Sequence, residues 1–197
     1  MITPASPAAA SFAGNHANPP AFYSYDANYL YFRYRMDSNP ASGGGFAPYV
    51  WTAFMQVSSG DPFQYQYQLL LNGKSDTIEI WRNTNPSDIH FPQFHVDTQV
   101  QAYPPTPAGS LARAVAAGTS FNGGPDWFVD FAFPVTTLVA ATKGEIASAA
   151  DLAQALFFPA TSTQNNTYNK SYLNCPFGPS TTLQIASNIL FLNFTDS

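Results

Sequence analysis

The stretch FQYQYQLLL (63–71), the dipeptide Asn72-Gly73 and the stretch TIEIWR (77–82) decide the fold of this chain. In 63–71 aromatic and aliphatic residues alternate with Gln64, Gln66 and Gln68, which is the two-residue period of a β-strand. Asn-Gly between two such segments is the strongest short signal for a β-hairpin. We therefore predict that 63–71 and 77–82 are paired antiparallel strands, with a glutamine face that is either solvated or turned towards another subunit.

The same period recurs on both sides of this hairpin. In NYLYFRYRM (28–36) the apolar residues Leu30, Phe32, Tyr34 and Met36 share one face, opposite a mixed face of Tyr29, Tyr31, Arg33 and Arg35. Further strands are predicted at 48–57, 96–101, 111–117, 127–133, 157–162 and 181–194. Helical signals are confined to 135–141 and to 148–156, where Ser148 is the predicted N-cap and Asp151 the third helical residue.

This pattern predicts a mostly all-β fold. Each strand has one face to bury, so we expect a two-sheet antiparallel β-sandwich, jelly-roll-like, with one or two short helices in a crossover. The length of 197 residues suits one domain. Residues 1–20 have no apolar period that could build a core element, and we predict an extended N-terminal arm there, with the domain proper at 21–197. Such an arm is either disordered or, through Ile2 and Phe12, adds as a strand to a neighbour's sheet.

Composition limits the kinds of partner. Charged residues make up only 10% of the chain, and the net charge is -5 with Lys and Arg scattered along the sequence, which argues against a nucleic-acid footprint. No apolar run is long enough to span a membrane. The start of the chain lacks the pattern of a signal peptide, so we expect either a leader outside this sequence or an unusual export route.

Export to the extracellular space or cell surface is predicted from the low charge and from three glycosylation sequons, at Asn165, Asn169 and Asn193. The single cysteine, Cys175, has no second cysteine with which to form an internal disulfide. It is expected to be a small buried residue, with pairing between chains as the alternative.

Three segments resemble bacterial exported β-sandwich modules of the broad DOMON and family 9 carbohydrate-binding class. They are DANYLYFRYRM (26–36), the strand 127–133 followed by Pro134 and a short helix, and the Thr-Ser stretch 161–163 that precedes Tyr168-Asn169-Lys170. The similarity covers about 110 residues, mainly 22–82 and 126–173.

The resemblance implies a non-catalytic β-sandwich, since members of this class bind sugars or haem or belong to large surface proteins. The chain departs from them at 58–61, where Ser-Ser-Gly-Asp replaces an acidic loop, so calcium binding is not expected there. Met36, Met55 and the three histidines offer no spacing that singles out a pair of haem ligands. No cofactor is therefore predicted.

Catalytic signatures are also missing from the sequence. It has no Gly-x-Ser-x-Gly elbow and no phosphate-binding glycine loop before a helix, so we predict no enzymatic activity. The most unusual acid is Asp130 on the apolar strand 127–133, for which a buried partner such as Arg33 or Arg35 would give a structural explanation. The densest cluster of potential metal ligands is Asp88, His90, His95 and Asp97. The two histidines are five residues apart across Pro92, a spacing that neither a helix nor a strand turns into one face, so no metal site is predicted.

Two functions remain. One is a structural protein that assembles with copies of itself into a filament, sheath or surface layer, favoured by the arm and the low charge. The other is a carbohydrate-binding module in which aromatic side chains stack on sugar rings. The candidate stacking residues are Trp51, Trp81, Trp127, Tyr65 and Tyr67, although each tryptophan lies in a strand that must bury one face.

Overall fold

A computed structural model describes residues 8–15, 17–57, 65–84, 97–104 and 111–163 of the chain. The described part contains a series of antiparallel strands, as the alternating segments predict. Their bounds are β1 Ala21–Tyr25, β2 Tyr29–Met36, β3 Ala41–Ser42, β4 Gly45–Phe46, β5 Val50–Gln56, β6 Tyr67–Asn72, β7 Thr77–Arg82, β8 Thr98–Tyr103, β9 Ala112–Ala116, β10 Trp127–Pro134 and β11 Leu156–Ser162.

The strands form the two sheets of an antiparallel β-sandwich, which confirms the predicted fold class. One sheet has the order β1-β2-β10-β9, and the other has the order β11-β5-β6-β7-β8. The short strands β3 and β4 form a separate hairpin around Gly43 and Gly44. Pro159 lies within β11, an edge strand, where a residue without an N–H can be accommodated.

The facing sides of the two sheets build the core. Every second residue of β2 enters it, as the alternation of 28–36 predicts, and Leu30, Phe32, Tyr34 and Met36 are each at most 1% exposed. Across the core lie apolar residues of β5, β6 and β7, and β10 adds Val129, Phe131 and Phe133 from the same sheet as β2. A smaller apolar cluster lies on the outer side of the five-stranded sheet and contains Val50, Phe54, Tyr65, Leu70 and Ala160.

The hairpin of β6 and β7 has the predicted pairing with a different turn. Asn72 pairs with Thr77, so four residues, 73–76, form the loop in place of a two-residue Asn-Gly turn. Asp76 has φ of 48°, a conformation in which aspartate is one of the tolerated residue types. Gly73 is required because a Cβ there would overlap the carbonyl oxygen of Ala47.

The helical predictions are confirmed in part. Helix α1 spans Val135–Ala141, the predicted range. The predicted helix at 148–156 is a short 3₁₀ helix, Ala149–Ala153, and β11 begins at Leu156. Asp151 accepts the N–H groups of Ala147 and Ser148 at 2.8 and 2.9 Å, which closes the predicted N-terminal cap.

Candidate interaction surfaces

The outer face of the four-stranded sheet carries a network of charged residues. The strand register places Asp130 of β10 directly between Arg33 of β2 and Arg113 of β9. Arg33 donates two hydrogen bonds to the Asp130 carboxylate, at 2.7 and 2.6 Å, and Nε of Arg113 donates a third at 3.0 Å. Asp130 is fully buried, so these contacts replace the water that its charge has lost.

This network confirms Arg33 as the predicted structural partner of Asp130 and adds Arg113. Arg113 is 17 residues from Asp130 in sequence, and no local motif joins the two. A signal does exist in the alternation of ARAVA, because Arg113 interrupts an otherwise apolar strand, just as Asp130 does in β10. An opposite charge in each of two neighbouring strands favours placing them side by side.

A phenylalanine ring holds the remaining arginine of this face. The guanidinium carbons of Arg33 and Arg35 lie 4.6 and 4.5 Å from the centre of the Phe128 ring. Nη1 of Arg35 donates to Oγ1 of Thr119 at 2.6 Å. Burial of Arg35 lowers the pKa of its guanidinium, and the positive charge of Arg33 lowers it further, against the opposing effect of Asp126. The fold thus gathers three basic residues that look scattered in the sequence.

The N-terminal segment 8–13 forms a second surface, and here the structure corrects a prediction. Residues 8–15 do not form an arm outside the domain, because Ala10 and Phe12 are buried in the core at 0% and 2% exposure. Phe12 pairs with Met36 at the end of β2, and its ring meets Tyr34 edge-to-face at 5.3 Å. Ile2, the other predicted anchor, lies outside the described residues.

Segment 8–13 touches both sheets. Along β2, the N–H of Ala13 donates to Arg35 O at 2.9 Å and the N–H of Asp37 donates to Ser11 O at 3.1 Å. From the five-stranded sheet, Trp51 Nε1 donates to Ala9 O at 3.3 Å and Thr161 Oγ1 donates to Ala10 O at 2.5 Å. The segment therefore closes one end of the sandwich.

The predicted sugar-stacking residues do not form one platform. Trp51 and Tyr67 point into the core and are fully buried. Trp127 belongs to the other sheet, at the start of β10. Tyr65 lies just before β6, and its ring packs on Phe54 in the outer cluster, with 4.7 Å between the ring centres. The alternation of 63–71 predicts that Tyr65 and Tyr67 share one face, and this prediction is wrong.

Trp81 is the one tryptophan on the outer side of the five-stranded sheet. Its indole N–H donates to Oε2 of Glu79 at 2.7 Å, and Oε1 of Glu79 accepts from Asn72 at 2.9 Å and from Thr77 at 2.7 Å. Gln68 lies opposite Trp81 on β6 and is fully buried, although its amide has no hydrogen-bond partner among the described residues. The glutamine face is therefore not solvated at Gln68.

Of the candidate metal ligands, only Asp97 lies in the described ranges, where its carboxylate accepts a hydrogen bond from Tyr65 at 3.2 Å. Asp88, His90 and His95 lie outside them, as do the sequon residues Asn165, Asn169 and Asn193 and also Cys175. In the ranges that the structure covers, no three His, Cys, Asp or Glu residues come together as metal ligands. In the same ranges no helix is long and apolar enough to cross a membrane.

The two methionines considered as haem ligands both lie in the core. Met36 and Met55 are fully buried, and the sulfur of Met36 accepts a hydrogen bond from the Trp51 indole at 3.0 Å. Their burial gives a packing role to both side chains.

Comparisons of the chain with protein-family models, with curated proteins and with solved structures find no match. The resemblance to the DOMON and family 9 carbohydrate-binding class stays a prediction.

Proposed function

We propose that this chain is a non-catalytic structural protein of the cell surface or extracellular space that assembles with copies of itself into a filament, sheath or surface layer. The supporting observation is where the charges lie. The chain has few charged residues, and four of those described, Arg35, Glu79, Asp126 and Asp130, are buried. Arg33 and Arg113 are both paired with Asp130. The described part of the surface is left with little unpaired charge, which favours close approach of identical molecules.

Asp130 and Glu79, two of the three buried carboxylates in the described ranges, favour a structural role over a catalytic one. Asp130 accepts hydrogen bonds from two arginines, and Glu79 accepts them from Asn72, Thr77 and Trp81. A general acid or base needs a lone pair or proton directed at a substrate. These two groups instead spend their hydrogen-bonding capacity on neighbouring side chains, which holds adjacent strands together.

Native full-length protein tests this proposal by size-exclusion chromatography with light scattering and by negative-stain microscopy. We expect a mass that rises with concentration and regular assemblies on the grid. A monomer at every concentration would overturn the proposal. Aggregates without a repeat would do the same, because a structural subunit must make the same contact each time.

Carbohydrate binding is a second candidate, and Trp81 is the residue that favours it. Trp81 lies on the outer side of the five-stranded sheet and is only partly buried, so its ring offers an aromatic face on which a sugar can stack. The natural test is Trp81→Ala, with binding measured on a glycan array and by calorimetry. Wild-type binding that Trp81→Ala abolishes would support the candidate, and unchanged binding would remove the stacking role.

Trp51 and Tyr67 are not suitable for that test. Both side chains are fully buried in the core, so a truncation such as Trp51→Ala should cost about 3 to 5 kcal/mol of stability whatever the ligand. A binding loss in that variant would report the fold. Trp127→Ala, on the other sheet, serves as the comparison variant for Trp81→Ala.

A further inference from the structure

Almost all large apolar side chains in the described ranges are at least partly buried. Tyr25, at 36%, is the only one counted as exposed in those ranges. The described ranges therefore have no extensive exposed apolar patch to which a second copy could bind. Association through this part of the molecule needs backbone pairing, or the exchange of a segment that already fits a place in the fold.

Segment 8–13 is such a segment. It is held by one large side chain, Phe12, and by backbone groups that meet β2 on one side and Trp51 and Thr161 on the other. The place that it fills, which we call the Phe12 socket, is lined by Tyr34, Met36, Trp51 and Thr161. In the structure the socket is occupied by segment 8–13 of the same chain, so the contacts that the segment makes there are known.

The connection to β1 allows the segment to leave. Residues 14–20 join Ala13 to β1, and within them Asn15 and Asn18 close a turn by bonding each other's backbone at 2.9 and 3.2 Å. Pro19 and Pro20 favour an extended path on the β1 side. If the turn opens, the seven residues span at most about 24 Å, which sets the distance within which the neighbour's socket must lie.

Gly14 is the residue on which the closed turn depends. Its φ of 145° lies in a range that residues with a side chain rarely adopt, and a Cβ there would overlap the carbonyl oxygen of Asn18. An opened turn relieves both constraints. The balance between self-docking and release is therefore set at Gly14, while the fit in the socket is set at Phe12.

We propose that segment 8–13 exchanges between copies, so that the Phe12 of one molecule fills the Phe12 socket of its neighbour. This inference rests on the proposed self-assembly and names its contact. The exchanged state reproduces the contacts of the self-docked state, so it needs no new complementary surface. An exchange that passes from each molecule to the next, without being returned, gives an open chain of subunits.

Disulfide trapping between two different chains tests the exchange. Ser11 lies opposite Asp37 in the antiparallel pairing centred on Phe12 and Met36, and two cysteines at such a pair are at the right separation for a disulfide. Full-length Ser11→Cys and Asp37→Cys chains, each also carrying Cys175→Ser, are mixed, allowed to assemble and oxidised. Only a segment from one chain in the socket of the other brings these two cysteines together.

Ser11→Cys mixed with Asn39→Cys is the matched control, because Asn39 is exposed nearby without facing residue 11. We expect the 11–37 mixture to give at least roughly tenfold more disulfide-linked heterodimer than the control, which corresponds to about 1.4 kcal/mol of preference. Adding Gly14→Ala should raise the linked fraction further, because the closed turn is then strained. A variant that is merely misfolded would lower it.

The outcomes separate the two proposals. Wild-type assembly with linkage specific to 11–37 supports both. Wild-type assembly with no more linkage than the 11–39 control overturns the exchange and leaves self-assembly standing. A wild-type monomer under all conditions overturns self-assembly, and the exchange with it.

Discussion

At the scale of single residues, the buried charges carry the clearest physical statement. Asp130 has no contact with solvent, and its stability depends on the two hydrogen bonds from Arg33 and the one from Arg113. Arg33 keeps 12% of its side chain exposed, so it is also largely removed from water. A buried pair of this kind contributes less by its presence than its disruption would cost, because disruption leaves one charge buried without a partner.

We expect Asp130→Asn to lower the free energy of unfolding by about 3 kcal/mol, because Arg33 and Arg113 would keep their charge without a counterion. Urea denaturation followed by circular dichroism measures this. Arg82→Gln is the control, since Arg82 meets Glu145 at the surface at 3.4 Å and an exposed pair contributes less than about 1 kcal/mol. Equal effects of the two substitutions would contradict the buried network.

The raised pKa of Tyr67 leads to a prediction of how stability changes at alkaline pH. Burial of its hydroxyl, with the negative charge of Glu145 nearby, raises its pKa to about 12. In the unfolded chain the same tyrosine ionises near pH 10, so the folded state holds the proton more tightly. The stability that this tyrosine contributes is therefore fully present below about pH 10. That contribution should be lost between about pH 10 and pH 12.

Stability curves of wild type and Tyr67→Phe between pH 8 and about pH 12 test this prediction. The variant lacks the ionisable group, so its stability should fall less steeply above pH 10. It also loses the hydrogen bond from the Tyr67 hydroxyl to Thr142 O, which should lower stability by about 1 kcal/mol at neutral pH. Parallel curves would show that Tyr67 does not resist ionisation in the folded state.

At the scale of secondary-structure elements, the β6–β7 hairpin shows how a turn can differ from its sequence signal while the strands pair as expected. Asn-Gly predicts a two-residue turn, but Gly73 is instead the first of four loop residues. The small hairpin of β3 and β4 leads into a stretch that lies against this loop, and Ala47 O and Tyr49 O approach Gly73 closely. Contact with a distant element decides the turn type here.

Gly73→Ala should lower stability by more than about 1 kcal/mol, because the new methyl group would displace the carbonyl of Ala47. Lys74→Ala in the same loop is the control, since the Lys74 side chain is exposed. The hydrogen bond from Lys74 to Asn72 Oδ1 is donated by the backbone N–H, so the substitution keeps it. Thermal unfolding of both variants provides the measurement. Similar melting temperatures would mean that the loop moves aside at no cost.

At the scale of the whole molecule, net charge sets how readily copies approach. Twelve acidic and seven basic residues give a net charge of -5 at pH 7 and a pI near 4.8. If the proposed self-assembly occurs, lowering the pH from 7 towards 5 should increase association, because the net negative charge and the repulsion between copies fall as the three histidines become charged and the first carboxylates are protonated. Light scattering at fixed concentration measures it.

Added salt at pH 7 is the comparison for that experiment. Screening shortens the reach of the same repulsion without changing protonation, so it should raise association in the same direction. Association that weakens on both treatments would indicate that attraction between opposite charges holds the copies together, against the low-charge interface proposed for this protein.

The sequence by itself determined the strands and their inward faces. Alternation depends only on the two-residue repeat of extended backbone, so 28–36, 77–82, 111–117 and 127–133 each correspond to a strand of the structure. The same local logic found α1, and it identified Asp130 as an acid in need of an arginine partner. It failed at Tyr65, where the alternation of 63–71 continues in the sequence but the strand β6 begins only at Tyr67, and Tyr65 lies on the opposite side of the sheet from Tyr67.

Only the tertiary structure decided which residues meet across long distances in the chain. Arg113 joins Asp130, Phe12 enters the core beside Tyr34, and the aromatic residues expected to form one sugar platform separate onto different faces. None of these contacts follows from spacing, because each depends on strand order and on how the two sheets face each other. Segment 8–13 has no period of its own, and its structure comes from the socket that the rest of the fold provides.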